Sequence, residues 1–126
     1  MNYLKPEDIL AINQSLIQKF GGVFGLTSET ELTQALERPS MKIDDYEPFP
    51  SLWAKAAVLM DSLIKAQCFV NQNTATALMS SHIFLRQNGY LFHSLPEDIE
   101  YIQGMYLHQF TTPQLAEWLK LRSEKI

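Results

Sequence analysis

Apolar residues recur along much of the chain at three- and four-residue intervals, the spacing of one face of an α-helix. From Pro6 to Phe20 the stripe is Ile9, Leu10, Leu16, Ile17 and Phe20, with Pro6, Glu7 and Asp8 as a start and Gly21-Gly22 as a stop. Ser28 and Glu31 have the spacing of a capping box, in which each side chain satisfies a backbone N–H at a helix start. Leu32, Ala35 and Leu36 give that second helix its apolar face, and it ends near Pro39. From Ser40 to Pro50 neither period holds, and the acidic and proline-rich composition predicts an irregular surface loop. Ser51 can cap a third helix running to about Gln67, with Leu52, Ala56, Leu59, Leu63 and Ala66 on its stripe. After a break around Val70 to Asn73, Thr74 to Gln87 reads as a fourth helix, hairpinned against the third and closed by Asn88-Gly89. Ser94, Pro96, Glu97 and Asp98 start a fifth, with Ile99, Ile102 and Tyr106 expected to face inward. Thr112-Pro113 begins a sixth carrying Leu115, Ala116, Trp118 and Leu119. The expectation is an all-α, compact bundle of about six helices. Only Tyr90 to Phe92 could be extended, and no internal repeat is visible.

Composition narrows the class. At 126 residues and 46% hydrophobic, the chain can bury one core, so residues 1–126 are expected to form a single domain. Its longest apolar stretch, Leu52 to Met60, contains Lys55 and is followed by Asp61, well short of the ~20 residues of a membrane span. Met1 to Asp8 lacks the basic-then-apolar pattern of a secretion signal. Cys68 is the only cysteine, which rules out an intrachain disulfide or a multi-thiolate metal site and suits a reducing cytoplasm. A net charge of −4, without any long Lys/Arg run, disfavours nucleic acid as a partner.

The break between the third and fourth helices carries the candidate chemistry. Gln67-Cys68-Phe69-Val70-Asn71-Gln72-Asn73-Thr74-Ala75-Thr76-Ala77 resembles the Fic/Doc (death-on-curing) signature H-P-F-x-[D/E]-G/A-N-K/R-R-T-A, matching it at Phe69, Asn73, Thr76 and Ala77. Gly21-Gly22-Val23-Phe24-Gly25-Leu26 resembles that family's G-G-x-x-G-L loop, Leu36-Glu37-Arg38-Pro39 its L-x-R-P segment, and Phe84-Leu85-Arg86-Gln87-Asn88-Gly89-Tyr90 its F-L-x-x-N-G-Y ending. Four fragments in the family's order and spacing make the resemblance specific. It implies a fold of about six helices with the signature loop at the N-terminus of a buried helix. It also implies transfer of AMP, another nucleotidyl group or phosphate from a nucleoside triphosphate to a protein hydroxyl. That chemistry needs a base, a carboxylate for the metal, and a positive cradle for the phosphates.

This chain departs from the signature at each charged or titratable position. Gln67 stands where the base His belongs, and a primary amide has no basicity near neutral pH. Asn71 replaces the acidic residue; its oxygen can ligate Mg²⁺ but without the negative charge that holds a hard cation. Thr74 and Ala75 replace the Lys/Arg pair. Asn73 and the turn amides remain as candidates for anion or nucleotide binding, with Thr74, and with Arg38 of the L-x-R-P segment.

Blander roles are open at several of these positions. Phe69 suits a core wedge, Asn73 a plain helix cap as well as a ligand contact, and Cys68 a buried, inert thiol. His82, His93 and His108 have no paired metal-binding spacing, and His82 lies about 12 Å along its helix from the loop, too far to replace the base. Asp44-Asp45 with Glu47 suit a solvated turn, and Trp53 and Trp118 half-buried packing. The resulting expectation is a catalytically degenerate Fic/Doc-like protein, cytoplasmic and without a resident cofactor or metal. It would act by binding another protein, such as an antitoxin-like segment or a family relative, since Doc-type proteins are neutralised by an antitoxin segment near the active loop. The alternative is an active or weakly active nucleotidyl or phosphoryl transferase of Doc-toxin type, binding ATP and Mg²⁺.

Overall fold

A computed structural model describes residues 1–126. Six α-helices follow one another: α1 Pro6–Phe20, α2 Glu29–Glu37, α3 Leu52–Ala66, α4 Asn73–Gln87, α5 Asp98–Tyr106 and α6 Thr112–Leu121. Their starts use the chemistry expected of them. Pro6 opens α1 while the Asp8 carboxylate accepts from the Lys5 amide at 2.8 Å. The Ser28 hydroxyl accepts from the Glu31 amide at 3.1 Å, the serine half of the predicted box, and Ser51 Oγ accepts from the Ala54 amide at 3.0 Å. Thr111 and Gln114 form a full capping box before α6. A 3₁₀ turn, Arg38–Ser40, ends α2 at the proline.

Every α3 residue from Lys55 to Ile64 is buried, and the helix touches α2, α4, α5 and α6. Its alanines, Ala56 and Ala57, let those neighbours approach closely. Ile9, Leu32, Phe84, Ile102, Leu115 and Leu119 close the core around it, with α6 giving the last two and each other helix one. Each such large side chain contributes roughly 1.5–3 kcal/mol by leaving water. No helix is long and apolar enough to cross a membrane.

Tyr90–Phe92, the one stretch expected to be extended, is a strand, β1. Several other expectations are corrected: β1 pairs antiparallel with β2, Ser123–Lys125, which has no strand-like alternation in its sequence. The pairing closes off the chain end, with the Ile126 amide donating to Gly89 O at 2.9 Å. Phe20 is exposed because it lies past the last turn that Leu16 buries, and Lys19 Nζ sits 5.6 Å over its ring. Ile99 and Tyr106 are exposed too. Asp98, Ile102 and Met105 form the buried stripe of α5, and at 100° per residue Ile99 and Tyr106 fall well to one side of it. Within 41–50, Asp44 and Asp45 are solvated as expected, but Glu47 is not simply so: its carboxylate lies 2.6 Å from the ammonium of buried Lys55.

Candidate functional site

α3 ends at Gln67, which adopts the left-handed conformation (φ 47°), and α4 begins after Gln72, which does the same (φ 62°). Two non-glycine residues in this region cost of order 1 kcal/mol each, so the five-peptide turn between them must be held by its surroundings. It is held from two sides. Cys68 and Phe69 insert into the core, and the backbone of Phe69 bridges to Leu26, with Thr27 N–H donating to Cys68 O at 2.6 Å and Val70 N–H to Gly25 O at 2.9 Å. The glycines of the Gly21–Leu26 segment permit this approach. A Cβ on Gly25 would lie 2.9 Å from Val70 Cγ2, and one on Gly22, whose φ is +114°, would lie 2.9 Å from Asn71 Cβ.

Beneath the turn sits Asn13 of α1, fully buried, donating from Nδ2 to Asn71 O and to Thr76 Oγ1, both at 3.0 Å. It anchors the loop backbone to the start of α4. Sequence reasoning missed it, although a signal was there: Asn13 falls on the same helical stripe as Ile9 and Leu16, and a polar residue in an apolar stripe needs a buried partner.

The signature side chains come together around one opening. Gln67, Asn71, Asn73, Thr74 and Ala75 line a cleft of about 340 Å³, joined by Ile99 and Gln103 of α5. An adjoining cleft of about 230 Å³ places Gln67 and Thr74 against Gln103, Tyr106 and Leu107. No carboxylate, amine, guanidinium or imidazole lines either one. Gln103 is a site residue that the sequence reading did not single out.

Most of the polar capacity here is already engaged. Gln67 Nε2 donates to Ile64 O at 2.6 Å, satisfying a carbonyl at the end of α3. The Asn71 carboxamide oxygen accepts from Val23 N–H at 2.8 Å, and Gln72 Nε2 donates to Gly21 O at 3.2 Å. Asn73 grips the Phe69 backbone at both ends, accepting from its N–H at 3.0 Å and donating to its C=O at 2.7 Å; Gln67 Oε1 lies 3.4 Å from its Nδ2. Asn73 is also the first residue of α4, whose start has no side-chain cap.

Other candidates lie elsewhere. Arg38 is not brought to the loop: its Nη1 donates to Ser62 Oγ at 2.7 Å and lies 3.4 Å from Asp61, while its guanidinium sits 5.8 Å from the Phe49 ring centre. Cys68 is buried, and burial pushes its thiol above the usual range. His82 packs against Phe92, and burial pushes its imidazole down, with Arg86 and His93 adding to the shift. His93 Nε2 is 3.1 Å from Glu124, on the β1–β2 surface. No group of three or more His, Cys, Asp or Glu side chains converges as a metal site would require.

Comparison with known proteins points to the same family. A family model described as the Fic/DOC family matches residues 3–85. The "Protein kinase doc" of Escherichia phage P1 is 24% identical over 120 residues, which is 95% of this chain and 94% of that protein. The "Toxin Doc" of Mycolicibacterium smegmatis is 33% identical over 87 residues, 69% of this chain and 65% of that protein.

Proposed function

The chain belongs to the Fic/DOC family, and from that premise we propose that it is a catalytically silent Doc-type toxin homologue that works by binding a protein partner at the mouth of its signature loop. The neutral lining of that mouth carries the reading. Gln67 cannot take a proton from an incoming hydroxyl, and its amide is already spent on Ile64 O. Loss of a general base alone costs roughly 10²- to 10⁴-fold in rate. Thr74 and Ala75 supply no positive charge where phosphate charge would develop. The donor set does not suit Mg²⁺, since a hard cation seeks a carboxylate and the Asn71 oxygen is held by Val23 N–H.

An interaction role is supported by the rim. Val70, Ile99, Tyr106 and Leu107 are exposed around the opening, an apolar border that a protein segment would cover. The partner in this reading is an antitoxin-like segment or another member of the family. One observation favours a second reading, weak nucleotide binding: the uncapped first turn of α4 offers backbone amides that suit an anion.

Titration calorimetry with ATP and Mg²⁺ separates the two, run on the native protein and on a variant carrying Gln67→His, Asn71→Asp, Thr74→Lys and Ala75→Arg. Heat from the restored variant alone is expected. Saturable binding by the native protein, or label transfer from it to a protein hydroxyl at the rate of an active relative, would overturn the proposal. The partner half is tested by titrating the native protein with the antitoxin of an active Doc; binding lost in Val70→Asp and Leu107→Asp variants is the expected result.

A further inference from the structure

Lys55 is the one ammonium buried in the central helix, its side chain 3% exposed in α3. Burying a charge is tolerated only with partners in place. Those partners come from segments distant in sequence. Pro39 O accepts from Nζ at 2.9 Å, Glu47 Oε1 lies at 2.6 Å, and the Tyr3 ring centre is 5.9 Å away. Only Glu47 supplies a compensating charge.

Glu47 belongs to a segment with little else to hold it. Within residues 41–50, Ile43 and Tyr46 pair in a single antiparallel bridge around Asp44 (φ 55°), yet both side chains are exposed, as is Met41. Immediately after Glu47, Pro48 and Phe49 form one wall of a cleft of about 430 Å³. Trp53 and Ala54 of α3 and Pro113 and Ala116 of α6 supply apolar lining, beside polar side chains that include Glu117 and Lys120. The ionic contact and the cleft wall are therefore adjacent along the chain.

We propose that residues 41–50 form a strap latched by the Glu47–Lys55 ion pair, and that release of the latch swings Pro48 and Phe49 away and widens the cleft between α3 and α6. The closed form is favoured because opening strands the Lys55 ammonium with a single carbonyl. The Arg38 guanidinium near Phe49 adds a second, weaker tie. Because the ion pair lies outside the signature loop, the strap can respond to a ligand in the cleft independently of what occupies the loop mouth.

Hydrogen–deuterium exchange of the full chain tests this, with the α3 core amides as internal standard. In Glu47→Ala, amides of 41–50 should gain roughly tenfold or more in exchange rate relative to those of α3, whose protection falls only with the global stability lost by stranding Lys55. Asp45→Ala, which removes an exposed carboxylate of the same segment, should leave the rates unchanged. Lys55→Met and the Glu47→Ala/Lys55→Met double variant should match Glu47→Ala, since one latch can be lost only once. Iodide quenching of Trp53, read in a Trp118→Phe background, should rise with latch loss. Should Glu47→Ala fail to fold, Glu47→Gln gives the same readout with a smaller increase. Exchange within twofold of wild type in Glu47→Ala, or additive effects of the two single changes, would overturn the proposal.

Discussion

Asn73 is retained from the family signature, and its geometry predicts what losing it costs. Its carboxamide makes two short hydrogen bonds to one residue, 3.0 Å from Phe69 N–H and 2.7 Å to Phe69 C=O, and Phe69 is only 4% exposed. Asn73→Ala leaves both backbone groups without a protein partner, at about 1–3 kcal/mol each. Asn73 is only half-buried, so water entering the vacated space recovers part of that loss. Alanine also gains roughly 0.5 kcal/mol in helix propensity. The expected net destabilisation is about 2 kcal/mol. Asn73→Asp separates the two bonds: it keeps an acceptor for Phe69 N–H but sets a carboxylate oxygen against the Phe69 carbonyl. Even with ~0.3–1 kcal/mol returned by a negative charge at the start of α4, it should also destabilise. Urea unfolding followed by Trp53 and Trp118 fluorescence reads both variants, with unchanged m-values. A loss under about 0.5 kcal/mol for Asn73→Ala, the range of an ordinary surface substitution, would refute the structural role assigned to this residue.

The remaining predictions are briefer. Asp98 is buried and accepts from Leu95 N–H at 2.6 Å and from Arg122 at 2.6 Å, so Asp98→Ala should lower the melting temperature by roughly 10 °C, near the lower end for a broken buried pair because Arg122 keeps some solvent and stacks on Trp118. A drop of under about 3 °C by calorimetry would contradict this. Gly21 and Gly22 both have positive φ, but only Gly22 faces a neighbour, Asn71 Cβ at 2.9 Å from an added Cβ. Gly22→Ala should therefore cost about 1 kcal/mol or more beyond Gly21→Ala, and equal losses in urea unfolding would remove the steric argument. His82 has its pKa depressed in the folded protein, chiefly by burial, so protonation favours the unfolded chain. Its stabilising effect is complete above the ordinary histidine value and is lost as pH falls through the lower folded value. The urea midpoint should decline more between pH 7.5 and 5.5 in the native protein than in His82→Gln; parallel declines would exclude His82 as the cause.

What was legible in the sequence was whatever a local repeat encodes. The α3 stripe reads correctly because its neighbours cover it on all sides, and the family is recognisable because fragments of the chain can be matched one to one with its motifs. Lys55 and Asp61 were read as interruptions of an apolar run, yet both are buried inside it. Their partners, Glu47 for one and Arg38 and Lys65 for the other, include residues a loop or a helix away, and periodicity carries no information about such pairs. The rotation of α5 was misjudged for a similar reason. Gly104 packs under Phe110, where a Cβ would come 2.5 Å from the ring, and Ile99 and Tyr106 lie at the loop mouth instead of in the core. β2 exists because the chain end runs back along Tyr90–Phe92, not because Ser123-Glu124-Lys125 favours a strand.

The signature loop is held in place although no charged side chain lines it, and the contacts explain how. Asn13 holds the Asn71 carbonyl, Asn73 holds the Phe69 backbone, and Gly22 and Gly25 let the neighbouring segment bridge across. At the positions that differ in charge from the signature, Gln67 ties mainly to its own helix, Ala75 makes no polar side-chain contact, and Asn71 alone reaches across, to Val23 N–H. Scaffold and chemistry are thus carried by largely separate residues. Cations in the first turn of a helix also oppose its dipole, by ~0.3–1 kcal/mol each, so Thr74 and Ala75 in place of Lys and Arg relieve the start of α4 of a repulsion that a phosphate would otherwise have to offset. Under the proposed reading, that relief at the start of α4, beside an exposed apolar rim of Val70, Ile99, Tyr106 and Leu107, is the combination a partner-binding role calls for.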